Sequence, residues 1–292
     1  MKIILSKLPE SGWWRSGVPK YKDNPAMKKG QVPITNLLIK ERDDLIKSIK
    51  KEGYEVIELD FPKQLDDKKP KHDFVFIRDP FISNQDGKAI ILRAGEPARR
   101  IENQIVKKLL EQLQVNICEM PNKPGWRADG GEFFYCANNK VLFSGLQRNT
   151  RKGVDFVAEE LNVNEVILLK GKGFHLDTFF TPALNKNGQI VALIVCEKIL
   201  DSQSKKILSN YANDNNIPVY TIPESDALGT REQTGKFAVN ALPLPGVLFR
   251  SDYFSNPVID NQLNNLGIKI KITPTSQFQL SGGSVHCITN EL

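Results

Sequence analysis

A unit of strand, hairpin, strand, helix and strand recurs along this chain of 292 residues, with a polar residue at a matching place in successive copies. Asp79 and Asp129 are 50 residues apart, Asp129 and Asp177 are 48 apart, and Asn240 and Cys287 are 47 apart. Repeats of that length point to a radial or solenoid architecture. The copy that begins at Ser284 runs out of chain at Leu292. A fifth unit divided between the two termini closes a ring, as propellers do. In a ring the first strands converge on the axis. One pocket would then collect Asp79, Asp129, His175, Asp177 and Cys287.

The units are read from local patterns. Residues 2–7 predict a strand. Residues 37–52 predict a helix with Leu38, Leu45 and Ile49 on one stripe, ended by Gly53, and 54–59 a strand. Phe74 to Pro80 reads as a strand run, followed by a turn at Asp86-Gly87, a strand over 89–93 and a helix over 98–114. That helix carries Ile101, Ile105, Leu109 and Leu113 as its apolar stripe. The next copies predict strands over 129–135, 141–143, 174–180, 190–195, 237–242, 247–249 and 284–289. Asn138-Asn139, Asn187-Gly188 and Pro245-Gly246 mark the hairpins. Helices are expected over 152–161 and 202–213, and another is capped by Asn256 with Pro257 in its first turn. Residues 11–31 hold Trp13-Trp14 and no periodicity. They read as a long loop, either a lid over a site or a surface excursion. The Trp pair favours packing onto something, because large aromatics are costly to leave in water.

Composition removes several classes of function. The net charge is +6, but residues 40–71 carry nine basic and nine acidic side chains, so the excess is not gathered for nucleic acid. Cys118, Cys136, Cys196 and Cys287 form no C-x-x-C pair, which argues against a zinc site or a disulfide scaffold. No stretch approaches the roughly 20 apolar residues of a membrane span. The expectation is a soluble, cytoplasmic, single catalytic domain over 1–292, with no cofactor, metal, nucleic-acid or membrane partner.

Cys287 alone reads as a small buried hydrophobe. The residues gathered with it change that reading, since a thiol is the strongest side-chain nucleophile near neutral pH. Of the three His, His72 sits in a Lys/Pro link and is expected to be exposed. His286 adjoins Cys287 and on a strand points to the other face. His175 remains as the general acid/base. A Cys, a His and several carboxylates in one pocket suit a planar cationic guanidinium, which carboxylates bind through matched hydrogen bonds.

The chain resembles the guanidino-group-modifying superfamily of arginine deiminases, dimethylarginine dimethylaminohydrolases, agmatine deiminases and amidinotransferases. Leu8-Pro9-Glu10-Ser11 and Arg93-Ala94-Gly95-Glu96-Pro97-Ala98-Arg99-Arg100 resemble the dimethylaminohydrolases. Phe76-Ile77-Arg78-Asp79-Pro80 and His175-Leu176-Asp177-Thr178 resemble the arginine deiminases. Gly282-Gly283-Ser284-Val285-His286-Cys287-Ile288-Thr289 resembles the agmatine and arginine deiminases.

The resemblance implies an α/β fold, the five-bladed α/β propeller known as a pentein. It implies Cys287 as nucleophile, His175 as acid/base, and Asp129 as the acid that holds the guanidinium and orients the His. Asp79 and Asp177 match further guanidinium contacts, and Arg99 or Arg100 an Arg that binds the substrate carboxylate. After Gly145-Leu146 the family has Ser-x-Arg-Thr, whereas here Asn149 holds the Arg place. Either Arg148 or Arg151 substitutes, or the substrate lacks an amino-acid head. The implied activity is a C–N hydrolase on linear amidines, acting on arginine or an N-substituted arginine to give a citrulline-type product. An amidinotransferase or a non-catalytic binder on the same fold is the alternative, as a monomer or homodimer.

Overall fold

The computed structural model describes residues 1–21, 24, 26–67, 70–230 and 233–292. Among the described residues, five three-stranded sheets carry the fold. The strands are β1 Lys2–Ser6, β2 Glu55–Leu59, β3 Phe81–Ser83, β4 Lys88–Ile91, β5 Asn116–Glu119, β6 Phe133–Cys136, β7 Val141–Gly145 and β8 Glu165–Leu169. They continue with β9 Phe180–Leu184, β10 Ile190–Val195, β11 Val219–Thr221, β12 Leu242–Leu244, β13 Val247–Arg250, β14 Lys269–Ile272 and β15 Asn290–Glu291. The helices are α1 Thr35–Lys51, α2 Arg100–Gln112, α3 Arg151–Glu160, α4 Ser202–Asp214 and α5 Pro257–Asn265.

Every sheet has one plan. Its middle strand pairs antiparallel with one neighbour and parallel with the other. Antiparallel partners are joined tightly in four sheets, and parallel partners by a helix, because parallel strands need a long crossover. The remaining sheet, β15-β1-β2, draws on both ends of the chain, with Ile3 opposite Glu291 and Ile4 opposite Asn290. The sequence repeat therefore corresponds to five copies of one supersecondary unit, one of them split.

The starts of the units differ from the expectation. Residues 74–80, 129–132, 174–179, 237–241 and 284–289 are not strand. They form short 3₁₀ segments and turns, and the first strand of each unit begins only after them. An apolar run reads the same as a strand whether or not it enters a ladder. Here the backbone of these turns bonds to neighbouring units. Arg78 N donates to Cys287 O (3.1 Å), Gly130 N to Asp79 O (3.0 Å) and His286 N to Asn240 O (3.3 Å). Leu176 N donates to Glu132 Oε2 (2.9 Å), and Asn240 Nδ2 to Asp177 O (3.1 Å). These five links run from unit to unit and return to their start.

Helix α1 buries Leu38, Leu45 and Ile49 as its spacing predicts. In α2 the inward face is rotated from the expected stripe. Ile101 and Leu113 are exposed, while Glu102, Asn103, Ile105, Val106 and Leu110 are buried. Polar demands inside the fold explain the rotation. Asn103 Nδ2 donates to Pro80 O (3.0 Å), and Glu102 takes the guanidinium of Arg99 (2.7 Å).

The segment after β1 has no helix or strand among its described residues. Trp13 and Trp14 are buried, Trp13 against Phe76 and Phe278. His72 is buried rather than exposed, at 2%. Its Nδ1 accepts from Trp14 N (2.9 Å), its carbonyl from Trp13 Nε1 (2.8 Å), and its Nε2 lies 2.9 Å from Asp66 Oδ1. The Lys/Pro link thus turns inward at His72 to clasp this segment. Lys22, Asp23 and Pro25 of the expected lid lie outside the described residues. Among the described residues no helix is long and apolar enough to cross a membrane.

Candidate active site

The unit-starting turns bring Asp79, Asp129, His175, Asp177, Asn240 and Cys287 together. Cys287 sits in a turn closed by Ile288 N to Ser284 O (3.2 Å). Gly283 precedes it because a Cβ there would run into the Phe76 ring, and Gly282 because its φ is +83°. Asn240 templates the turn. Its Oδ1 accepts from His286 N (3.1 Å) and Cys287 N (3.3 Å), and its Nδ2 donates to Cys287 Sγ (3.2 Å).

Asp177 also contacts the sulfur. Its Oδ2 accepts from Cys287 Sγ (3.4 Å) and stands 2.8 Å from His286 Nδ1. Its Oδ1 is buried and has no hydrogen-bond partner among the described residues. His286 therefore reaches the back of the site through Asp177, and it sits in a turn rather than on a strand. Burial, with the Arg78 charge nearby, holds His286 below the usual imidazole range. A neutral ring donating from Nδ1 fits that environment.

The Asp-Gly-Gly motif shapes the His175 end. A Cβ on Gly131 would come within 2.5 Å of His175 Nδ1, and one on Gly130 would strike the Arg78 carbonyl. The glycines let Asp129 and His175 meet at 3.1 Å, Oδ2 to Nε2. Asp129 Oδ1 accepts from Gly95 N (2.7 Å). Asp79 Oδ1 is 3.6 Å from His175 Nδ1 and accepts from Gly131 N (3.2 Å). The imidazole is thus flanked by a carboxylate on each nitrogen.

Electrostatics shift His175 and Cys287 each away from its usual range. Burial opposes the charged form of His175, but Asp79 and Asp129 outweigh it and hold the ring above its usual range, with Arg148 working against them. Burial, then Asp177 and Asp79, push the Cys287 thiol well above its usual range, which the Asn240 amide only partly offsets. The resting site is a thiol beside carboxylates, and a positive charge placed beside the sulfur would favour its thiolate.

His175 and Cys287 line one pocket with Asp79, Arg148, Phe174 and Asp73. Arg99 also reaches it, but its guanidinium is held by Asp79, Glu102 and the Asp73 carbonyl. Arg100 does not line it; its Nε donates to Ala94 O (3.2 Å). Asn149 turns to the backbone, its Oδ1 accepting from Asp129 N (2.8 Å). Arg151 is exposed and pairs with Asp155.

Sequence reasoning missed three participants. Asn240 stood in the repeat register but carries no reactive chemistry of its own. Glu132, three residues after Asp129, accepts from Arg148 N (2.6 Å) and Leu176 N (2.9 Å), and burial lifts its carboxyl to about 7. Asp73 accepts from the Tyr21 hydroxyl (2.5 Å), and burial raises its carboxyl.

Residues 22–292 match the model of the eukaryotic N,N dimethylarginine dimethylhydrolase family. The fold is similar to that of the N-terminal domain of ArgZ, an arginine dihydrolase from the ornithine-ammonia cycle in cyanobacteria, solved in a cysteine-to-serine form bound to substrate. The TM-score is 0.78 at 20% identity, covering 99% of this chain and 96% of that one. The same domain has been solved covalently bonded to a reaction intermediate, with the same TM-score, identity and coverage. The DDAH of Pseudomonas aeruginosa, a cysteine-to-serine form complexed with citrulline, gives a TM-score of 0.72 at 16% identity, covering 100% of this chain and 98% of that one.

Proposed function

The chain belongs to the N,N dimethylarginine dimethylhydrolase family, and from that premise we propose that it hydrolyses a guanidino C–N bond of arginine or an N-substituted arginine, giving a ureido product of the citrulline type. The observation that carries this reading is that Cys287 and His175 line one pocket, each in contact with a buried carboxylate, Asp177 Oδ2 at 3.4 Å from Sγ and Asp129 Oδ2 at 3.1 Å from Nε2. A pocket with that many acids selects a cation, and the thiol is placed to attack its central carbon.

In the proposed sequence the guanidinium binds through the Asp129 and Asp177 carboxylates. The buried Asp177 Oδ1, which has no hydrogen-bond partner among the described residues, accepts one N–H. The bound cation stabilises the thiolate, and the thiol proton passes to the Asp177 carboxylate that accepts it and on to solvent. Sγ adds to the guanidinium carbon, and Asn240 Nδ2 supports the sulfur during its charge change. His175, held charged by Asp79 and Asp129, gives its proton to the departing amine as the C–N bond breaks. The amidino-thioether that remains takes up water, whose proton returns to His175. Collapse frees the thiol and the ureido product. The Asp pair stabilises positive charge through both halves.

We also infer that the five sheets stand as blades around one axis, making a five-bladed α/β propeller. The circuit of turn-to-turn hydrogen bonds and the sheet built from both termini support that arrangement. The activity test is ureido product formation from arginine, its N-methylated forms, agmatine and guanidinoacetate, each offered alone. Product from the arginine-type compounds supports the reading, and no product from any of them contradicts it.

A further inference from the structure

The cation site between Asp129 and His175 already holds a guanidinium in the free protein, and it is the protein's own. Arg148 Nη1 lies 3.2 Å from Asp129 Oδ2 and 3.2 Å from His175 Nε2. Its guanidinium carbon sits over the Phe174 ring, 5.5 Å from the centroid. The side chain is 8% exposed. Its backbone is pinned by Glu132 Oε1, and its Cβ lies where a side chain on Gly95 would come within 3.2 Å of it. The cavity that this side chain lines measures about 20 Å³, room for about one water. The atoms of Arg148 stand on the carboxylate that the proposed reaction assigns to the substrate.

We propose that Arg148 is an internal competitor, filling the guanidinium subsite of the free enzyme and leaving when a substrate guanidinium takes its place. The inference rests on the reading of the pocket as a guanidino-hydrolase site. The physical case is one of exchange. The imidazole of His175 is shared between Asp79 and Asp129, so a full cation on the buried Asp129 is favourable, and Arg148 supplies it until a ligand does. Only another cation can take over the role, so neutral and anionic analogues are refused at this carboxylate. The same occupancy lowers apparent affinity by the fraction of time the site is filled. Because the Arg148 backbone is tied to Glu132, the exchange is confined to the side chain. It also removes one cation from His175 as another arrives, so the imidazole keeps a positive neighbour on Asp129 throughout.

Methylguanidine is the probe, since it is cationic and has no carboxylate to gain or lose a contact with Arg148. Arg148→Met keeps the stem and removes the charge. Calorimetric titration should show methylguanidine binding at least about tenfold more tightly to Arg148→Met than to the wild type, as expected if the side chain fills the site nine-tenths of the time. Binding to both proteins without that gain overturns the inference alone and makes Arg148 a fixed wall of the pocket. Binding to neither overturns the functional reading and the inference with it. Should Arg148→Met not fold, the wild type answers directly. Its Arg148 Nε–H resonance must move at saturating methylguanidine, and a resonance that stays in place while the probe binds contradicts displacement.

Discussion

Asn240 donates its side-chain amide to the sulfur of Cys287 at 3.2 Å, from a turn 47 residues upstream and one repeat away. With its carbonyl oxygen on the Cys287 and His286 amides, it fixes the Cys287 turn, and its amide favours the thiolate. Asn240→Ala removes a hydrogen bond to a group that becomes an anion, a loss of about 1.5–3 kcal/mol, so kcat/KM should fall about 10- to 150-fold. The thiol should also titrate higher, read as slower alkylation of Cys287 at each pH, and Asn240→Asp should raise it further. Alkylation rates equal to wild type would remove Asn240 from the site.

The repeat made the register of Asn240 visible, but its chemistry was not. Asp, His and Cys announce reactivity by residue type, whereas an amide matters only through what it faces. The run Phe74-Val75-Phe76-Ile77 shows the other limit. It is buried, as its composition says, yet its backbone closes local turns, Phe76 N on Asp73 O and Asp79 N on Phe76 O, instead of a ladder, and local periodicity carries no record of that. The five-unit plan, the split fifth sheet and helices α1 and α3 to α5 followed from pattern because each is a local consequence of spacing and caps. The inward faces of Glu102 and Asn103, and the entry of Arg148 into the pocket, follow from distant partners that only the folded chain supplies.

Glu132 ties the Arg148 and His175 segments together by accepting both their amides. Its carboxyl, lifted by burial from 4.5 to about 7, binds protons more tightly folded than unfolded. Its stabilising contribution is therefore complete below pH 4.5 and is lost as pH rises through 7, a change on the order of 3 kcal/mol. Urea unfolding of the wild type and Glu132→Gln at pH 5 and pH 8 tests this. The wild type's advantage should shrink toward pH 8, and an advantage independent of pH would show that Glu132 does not titrate in this window.

His72 clasps the segment that runs on to Tyr21 at the pocket wall, accepting from Trp14 N with Nδ1 and facing Asp66 with Nε2. Burial lowers its proton affinity despite Asp66 and Asp73 nearby. A folded value below 6.5 means the clasp is intact above that pH and weakens as pH falls through the window beneath it. Residues 11–21 should be cut faster by a protease at pH 5 than at pH 7.5. In His72→Gln the step should vanish, with stability at pH 7.5 lower by about 1–3 kcal/mol from the unsatisfied Trp14 amide. Equal protection at both pH values in the wild type would contradict the clasp.

The central claim is covalent chemistry at Cys287. The most direct measurement is the intact mass of the protein after brief incubation with arginine and, separately, with its N-methylated forms, quenched in acid. The account predicts an amidino adduct on the wild type with at least one of these compounds, absent in Cys287→Ala, together with a ureido product that only the wild type releases. Product formed at the wild-type rate by Cys287→Ala, or turnover with no adduct under any quench time, would contradict it.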